Sequence, residues 1–161
     1  MAYVEIERKF LMDQFPPLVP EREAEIEQGY LCHEPVIRIR RKTENGQTSA
    51  RLCFKGKGTL IRSEVELDLD AEQYDQLRAL LPEAPIRKRF RTYRLPDGHT
   101  LECSLVDDGE PTAFYYAEVE FCSEAEARQF TAPDFLGREV TEDPSYTMSA
   151  YAARKSAANK K

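Results

Sequence analysis

The chain has 161 residues and carries 29 acidic against 23 basic side chains, a net charge of −6, with a hydrophobic share of 41%. That length suits one domain of ordinary size, and 8 Phe with 8 Tyr can fill its core, so intrinsic disorder and a second independent core are both disfavoured. No window reaches the roughly 18 apolar residues of a membrane span, the N-terminal stretch lacks the apolar run of a secretion signal, and the acidic balance disfavours nucleic acid or an anionic membrane as partner; a cytoplasmic protein is expected.

Period-two alternation of apolar and polar residues marks strands with one face on a core. The first, over 4–10, puts Glu5, Glu7 and Lys9 on one parity and Val4 and Ile6 on the other. Strands follow at 25–31, 36–40, where Arg38 and Arg40 alternate with Ile37 and Ile39, and 49–55, which ends on Lys55. Over 62–69, Arg62, Glu64, Glu66 and Asp68 share one parity, and Val65, Leu67 and Leu69 the other. Asp70 caps a helix with Tyr74, Leu77, Leu80 and Leu81 on one side, ended by Pro82. Strands at 86–94 and 99–106 flank the turn Pro96-Asp97-Gly98-His99, and the last spans 117–121 with Glu118 and Glu120. Ser123-Glu124-Ala125-Glu126 is a capping box for a helix to Phe130, and a third helix is expected from Ser145, carrying Tyr146, Ser149 and Ala153. The expectation is a single domain over 1–154 with a frayed tail over 155–161.

Cys32, Cys53, Cys103 and Cys122 lack Cys-x-x-Cys spacing and read as reduced thiols. His33 and His99 fall in expected loops and read as surface residues. Cys32 and Arg38 have the Cys-x5-Arg spacing of cysteine phosphatases, but no glycine lies between them to turn amides inward.

The polar parity is unusually pure. Three strands carry Glu-x-Glu, at Glu5/Glu7, Glu64/Glu66 and Glu118/Glu120, and another carries Arg87, Arg89 and Arg91 in alternation. Like charges two apart on a strand lie about 7 Å from each other and repel unless a counter-charge sits among them. About eight antiparallel strands close into a barrel whose lumen holds side chains or one small ligand. A lumen lined by carboxylates and by Arg and Lys asks for a hard divalent cation and for phosphate oxygens, which a metal-bound polyphosphate supplies together.

Glu5-Ile6-Glu7-Arg8-Lys9-Phe10 resembles the Glu-x-Glu-x-Lys signature of the CYTH family, the triphosphate tunnel metalloenzymes. The resemblance continues in family order through Glu27-Gln28-Gly29-Tyr30-Leu31, Arg38-Ile39-Arg40, Lys55-Gly56 and Arg62-x-Glu64-x-Glu66. It then runs through Arg87-x-Arg89-Phe90, Glu118-x-Glu120 and Gly137-Arg138-Glu139-Val140-Thr141, covering about 3–152, and its type is that of short bacterial inorganic triphosphatases. It implies a mainly β, α+β fold: a closed eight-stranded antiparallel tunnel with helices outside, binding a triphosphate with Mg²⁺ or Mn²⁺. The implied metal ligands are Glu5, Glu7, Glu118 and Glu120, with Glu64 and Glu66 for a second metal or its waters. The implied phosphate cradle is Lys9, Arg38, Arg40, Lys55, Arg62, Arg87, Arg89 and Arg91, and the residues nearest the chemistry are Glu7, Lys9, Arg89 and Glu120. The implied reaction is hydrolysis of tripolyphosphate to pyrophosphate and phosphate. Adenylate cyclisation, thiamine triphosphate hydrolysis and mere polyphosphate binding are the alternatives, and family analogy allows a homodimer. Two departures stand out: Arg87 occupies a place where relatives often have Lys, and Glu102-Cys103-Ser104 lacks an Asp, so a lumen carboxylate is expected to be missing.

Overall fold

The computed structural model describes residues 3–159. The strands are β1 (Tyr3–Met12), β2 (Arg22–His33), β3 (Val36–Glu44), β4 (Gln47–Lys55), β5 (Ile61–Leu69), β6 (Ile86–Arg94), β7 (Thr100–Val106) and β8 (Phe114–Glu120). The helices are α1 (Ala71–Arg78), α2 (Glu124–Gln129) and α3 (Met148–Asn159). All eight strands form one closed antiparallel barrel in the order β1-β5-β4-β3-β2-β6-β7-β8, the architecture that the family resemblance implies. Among the described residues no helix is long and apolar enough to cross a membrane.

β1 is the seam. Its first half, Tyr3 to Ile6, pairs with β5, and its second half, Glu7 to Met12, pairs with β8. The hairpin between β3 and β4 turns on Asn45 and Gly46, both at positive φ (51° and 74°), the geometry that suits the twist of a two-residue loop.

The apolar parity packs outward against the helices. Under α1, Tyr74, Leu77 and Leu81 cover Ile39, Ala50, Leu52 and Leu69. Asp70 caps α1 in a box with Gln73. Around α2, Ala127 and Phe130 pack on Phe10, Leu101, Ala117 and Val119. α3 lies across one barrel end, where Met148, Tyr151 and Ala152 meet Tyr30, Ile86, Val106 and Tyr116.

The expected third helix divides in two. A single 3-10 turn spans Pro144–Tyr146, capped by Asp143, then Thr147 is extended (ψ 151°) and α3 begins at Met148. The segment expected to fray is helical through Asn159, because Lys155 donates to Asp107 Oδ2 at 2.9 Å and Tyr151 OH to the same oxygen at 2.6 Å; Lys160 and Lys161 lie outside the described residues. Between α2 and the 3-10 turn, the strap 136–143 adds to β1. Val140 N donates to Lys9 O at 2.8 Å, and Gly137 N donates to Leu11 O at 3.0 Å. Gly137 is required there, since a Cβ would sit 2.3 Å from Leu11 O.

Candidate active site

The inward parity of the strands lines a cavity of about 950 Å³ inside the barrel. Glu5, Glu7 and Lys9 enter it from β1, Arg38 and Arg40 from β3, Lys55 from β4, Arg62, Glu64 and Glu66 from β5, and Glu118 and Glu120 from β8. Strands with unrelated sequence positions thus bring the opposite charges together.

Two groups of donor atoms could hold metal. One oxygen each from Glu5, Glu7 and Glu118 lies within 4.8 Å of the others, and so do atoms of Cys53, Glu64 and Glu66. Glu120, opposite Glu7 in register, is exposed at the rim. Crowding leaves its mark on protonation. Burial and the facing Glu118 hold the Glu7 carboxyl well above the usual carboxylate range. Burial pushes Glu64 up to about 7, with Glu5 beside it adding to the rise. Burial opposes ionisation of Glu5 and Glu118 as well, but both are held low, Glu5 by hydrogen bonding to Glu64 and by Lys55, Glu118 by the Glu7 proton, Lys9 and Lys88. Carboxylates that must share protons to coexist form a donor set suited to a hard divalent cation, so the residues fit one.

The cations stand among these carboxylates. Lys55 Nζ is 3.0 Å from Glu5 Oε2 and 3.2 Å from Glu64 Oε2. Arg62 lies 4.0 Å from Glu7, and Lys9 3.9 Å from Glu118, with Lys9 Nζ donating to Tyr146 O at 2.7 Å. Arg38 is buried, and its Nε has no partner among the described residues. A buried guanidinium with an idle donor is poised for an anion.

β6 departs from expectation. Arg87, Arg89 and Arg91 are on the outer face, not in the lumen. Arg91 reaches Glu23 at 3.0 Å and stacks 4.1 Å over Phe15, and Arg89 lies 3.4 Å from Asp108 and 3.8 Å from Glu25. Arg89 and Arg91 thus tie β6 to β2 from outside. The lumen residue is Lys88, buried, which donates to Tyr116 OH and is held well below the usual lysine range by that burial. The lysine expected to be replaced by Arg87 is therefore present one position later. On β7, Glu102 lines the lumen opposite Glu118, pushed up to about 7 by burial and by Glu120 and Glu118, while Ser104 lines the same cavity and brings no carboxylate there, as the departure at that position implies. Counting parity back from the inward Thr92 would have found Lys88, and counting back from Ser104 would have found Glu102. Arg51 was also missed; it extends the cationic wall and meets Glu66 at 2.6 Å.

Glu27, part of the resemblance, lies outside the lumen, where Arg78 Nε donates to it at 2.8 Å and Tyr74 OH at 3.0 Å, fastening α1 to β2. His99 lies in the loop between β6 and β7 as expected but is half-buried, and His33 belongs to the end of β2 instead of a loop. His99 is bracketed by Asp97 and Glu126, at 2.9 and 2.8 Å. His33 ends β2 beside the cavity, between Ser149 and Glu83. All four cysteines are free.

No family model matches the chain. An inorganic triphosphatase of Nitrosomonas europaea is 36% identical over 152 residues, covering 92% of this chain and 96% of that protein. An inorganic triphosphatase of Acetivibrio thermocellus is 31% identical, covering 90% of each. A crystal structure of an inorganic triphosphatase matches with a TM-score of 0.63 and 31% identity, over 92% of this chain and 93% of its own. With such identity over nearly its full length, and with the charged closed barrel just described, the chain belongs to the CYTH, or triphosphate tunnel, family in its inorganic triphosphatase branch.

Proposed function

We propose that the protein hydrolyses inorganic tripolyphosphate to pyrophosphate and phosphate, with Mg²⁺ or Mn²⁺ held by Glu5, Glu7, Glu118 and Glu120, and Glu64 and Glu66 completing the acidic wall. One observation carries the reading: a tight trio of carboxylates and a buried guanidinium with a free donor share one cavity, so a bare anion and a bare cation are each half-matched, while the pair satisfies both. The names of the two relatives support the choice of the inorganic substrate.

Phosphoryl transfer asks the protein mainly for position and charge. A divalent cation, when bound, neutralises phosphoryl oxygens and orients water. Arg38, Arg40, Lys55 and Arg62 would hold the phosphate chain in line, and Lys9 is anchored by Tyr146 O so that its ammonium faces Glu118. Water oxygen bonds to the terminal phosphorus as the bridging P–O bond breaks, and pyrophosphate leaves with that electron pair. Lys88, in contact with the Tyr116 hydroxyl, is placed to supply a proton or a positive charge at the buried end of the lumen.

The test is incubation of the pure protein with tripolyphosphate, ATP or thiamine triphosphate, each with Mg²⁺, Mn²⁺ or chelator, and identification of products. Metal-dependent release of phosphate, fastest from tripolyphosphate, is expected. Cyclic nucleotide, or tight binding without turnover, would overturn the reading. Replacing Glu7 by Gln is expected to reduce turnover by at least about 100-fold with the fold retained by circular dichroism.

A further inference from the structure

At the barrel end covered by α3, three side chains from distant parts of the chain form a relay. Ser149 Oγ is 2.6 Å from His33 Nδ1, and His33 Nε2 is 2.8 Å from Glu83 Oε1. A carboxylate only accepts, so Glu83 fixes the imidazole with hydrogen on Nε2, and the lone pair on Nδ1 is left to accept the Ser149 hydroxyl. Glu83 Oε2 is buried with no partner among the described residues, which concentrates the carboxylate on His33. The ring is held further by stacking on Tyr30, 5.5 Å between centroids with planes 19° apart. Nucleophile, base and orienting acid in hydrogen-bonded series are the arrangement that activates a serine, whatever the order of the residues in the chain.

Ser149 and His33 also line the cavity that holds Arg38 and Lys55. Ser149 is the second residue of α3, and the helix end that carries it is fixed by Thr147, whose Oγ1 accepts from Ala150 N at 3.1 Å and whose carbonyl accepts from Tyr151 N at 3.0 Å, which holds the Ser149 hydroxyl in place.

We infer that Ser149 is an activated nucleophile and a phosphorylation site of this protein, taking a phosphoryl group from a triphosphate bound in the lumen. The inference rests on the proposed substrate. Ser149 Oγ forms a bond to the terminal phosphorus while the bridging P–O bond breaks. Pyrophosphate leaves with the electron pair, and the hydroxyl proton passes to His33 Nδ1, giving an imidazolium whose Nε2–H is held by Glu83. The product is a phosphoserine at the closed end of the tunnel, a dianion placed among the cations that would otherwise meet substrate.

The experiment incubates the full-length protein with tripolyphosphate and Mg²⁺, measures phosphate release, quenches part of the reaction in acid and maps modified peptides by mass spectrometry. In parallel the protein is treated with diisopropyl fluorophosphate, which reports serine nucleophilicity without any triphosphate. We expect an acid-stable phosphoryl group and a fluorophosphonate adduct, both on Ser149, and at least a tenfold loss of both in His33→Asn. Phosphate release with neither modification on Ser149 would overturn the inference while leaving the triphosphatase reading intact. A phosphoryl group found elsewhere, with Ser149 unmodified, would also overturn it. Absence of phosphate release from every triphosphate would remove the phosphoryl donor and defeat both readings.

Discussion

Lys88 and Arg89 are neighbours in sequence and opposites in role. The side chain on the even parity enters the lumen and that on the odd parity faces solvent and Asp108. We therefore expect Lys88→Ala to lower kcat by about 100-fold, on the scale of losing one preorganised charge or donor, whereas Arg89→Ala leaves kcat within about twofold; steady-state kinetics on tripolyphosphate decide, and equal losses would contradict the inward–outward assignment. The same scale governs protons. Burial and acidic neighbours raise Glu7 well above the ordinary carboxylate range and push Glu64 up to about 7. Binding a divalent cation is expected to expel their protons, so titration with Mg²⁺ or Mn²⁺ in weakly buffered solution at pH 7 should acidify it, and a Glu7→Gln variant should release fewer protons. The Glu-x-Glu pairs were legible because repulsion between identical charges two apart demands a cation. β6 was not, because Arg87, Lys88, Arg89 and Arg91 form a run in which both parities are basic, so charge alone does not tell inside from outside.

Among elements, strands and turns were readable to within a few residues, since alternation and glycine geometry are local. The end of the chain was not. Ala157 and Ala158 favour a helix within 155–159, but only the fold shows what anchors it: Lys155, whose side chain is 10% exposed, pairs with Asp107 at 2%. Taking away one partner of such a pair leaves a buried charge, so Lys155→Ala is expected to destabilise the fold by about 3 kcal/mol in denaturant titration. A change below about 0.5 kcal/mol would mean that Asp107 finds compensation from Tyr151 and the Arg87 backbone N–H alone. The strap 136–143 belongs to the same class of feature: Gly137-Arg138-Glu139-Val140-Thr141 was visible as a motif, while its addition to β1 depends on Leu11 and Lys9, more than 120 residues away.

For the whole molecule, the barrel concentrates acids that resist ionisation. Glu64 and Glu102 both titrate near 7 in the fold against an ordinary 4.5. The folded state then binds more protons than the unfolded chain between about 4.5 and 7, so stability should fall as pH rises through that window. Thermal unfolding from pH 5 to pH 8 checks the sign, and Glu102→Gln should flatten the decline; a melting temperature that climbs with pH would refute it. The seam at β1 has a consequence for how such a molecule comes into being. β1 leaves the ribosome before both of its partners and can complete its pairing only after β5 and then β8 have followed, so until then Glu5, Glu7 and Lys9 lie on a strand with an open edge, and the tunnel acquires its ligand-binding interior in one late closing event.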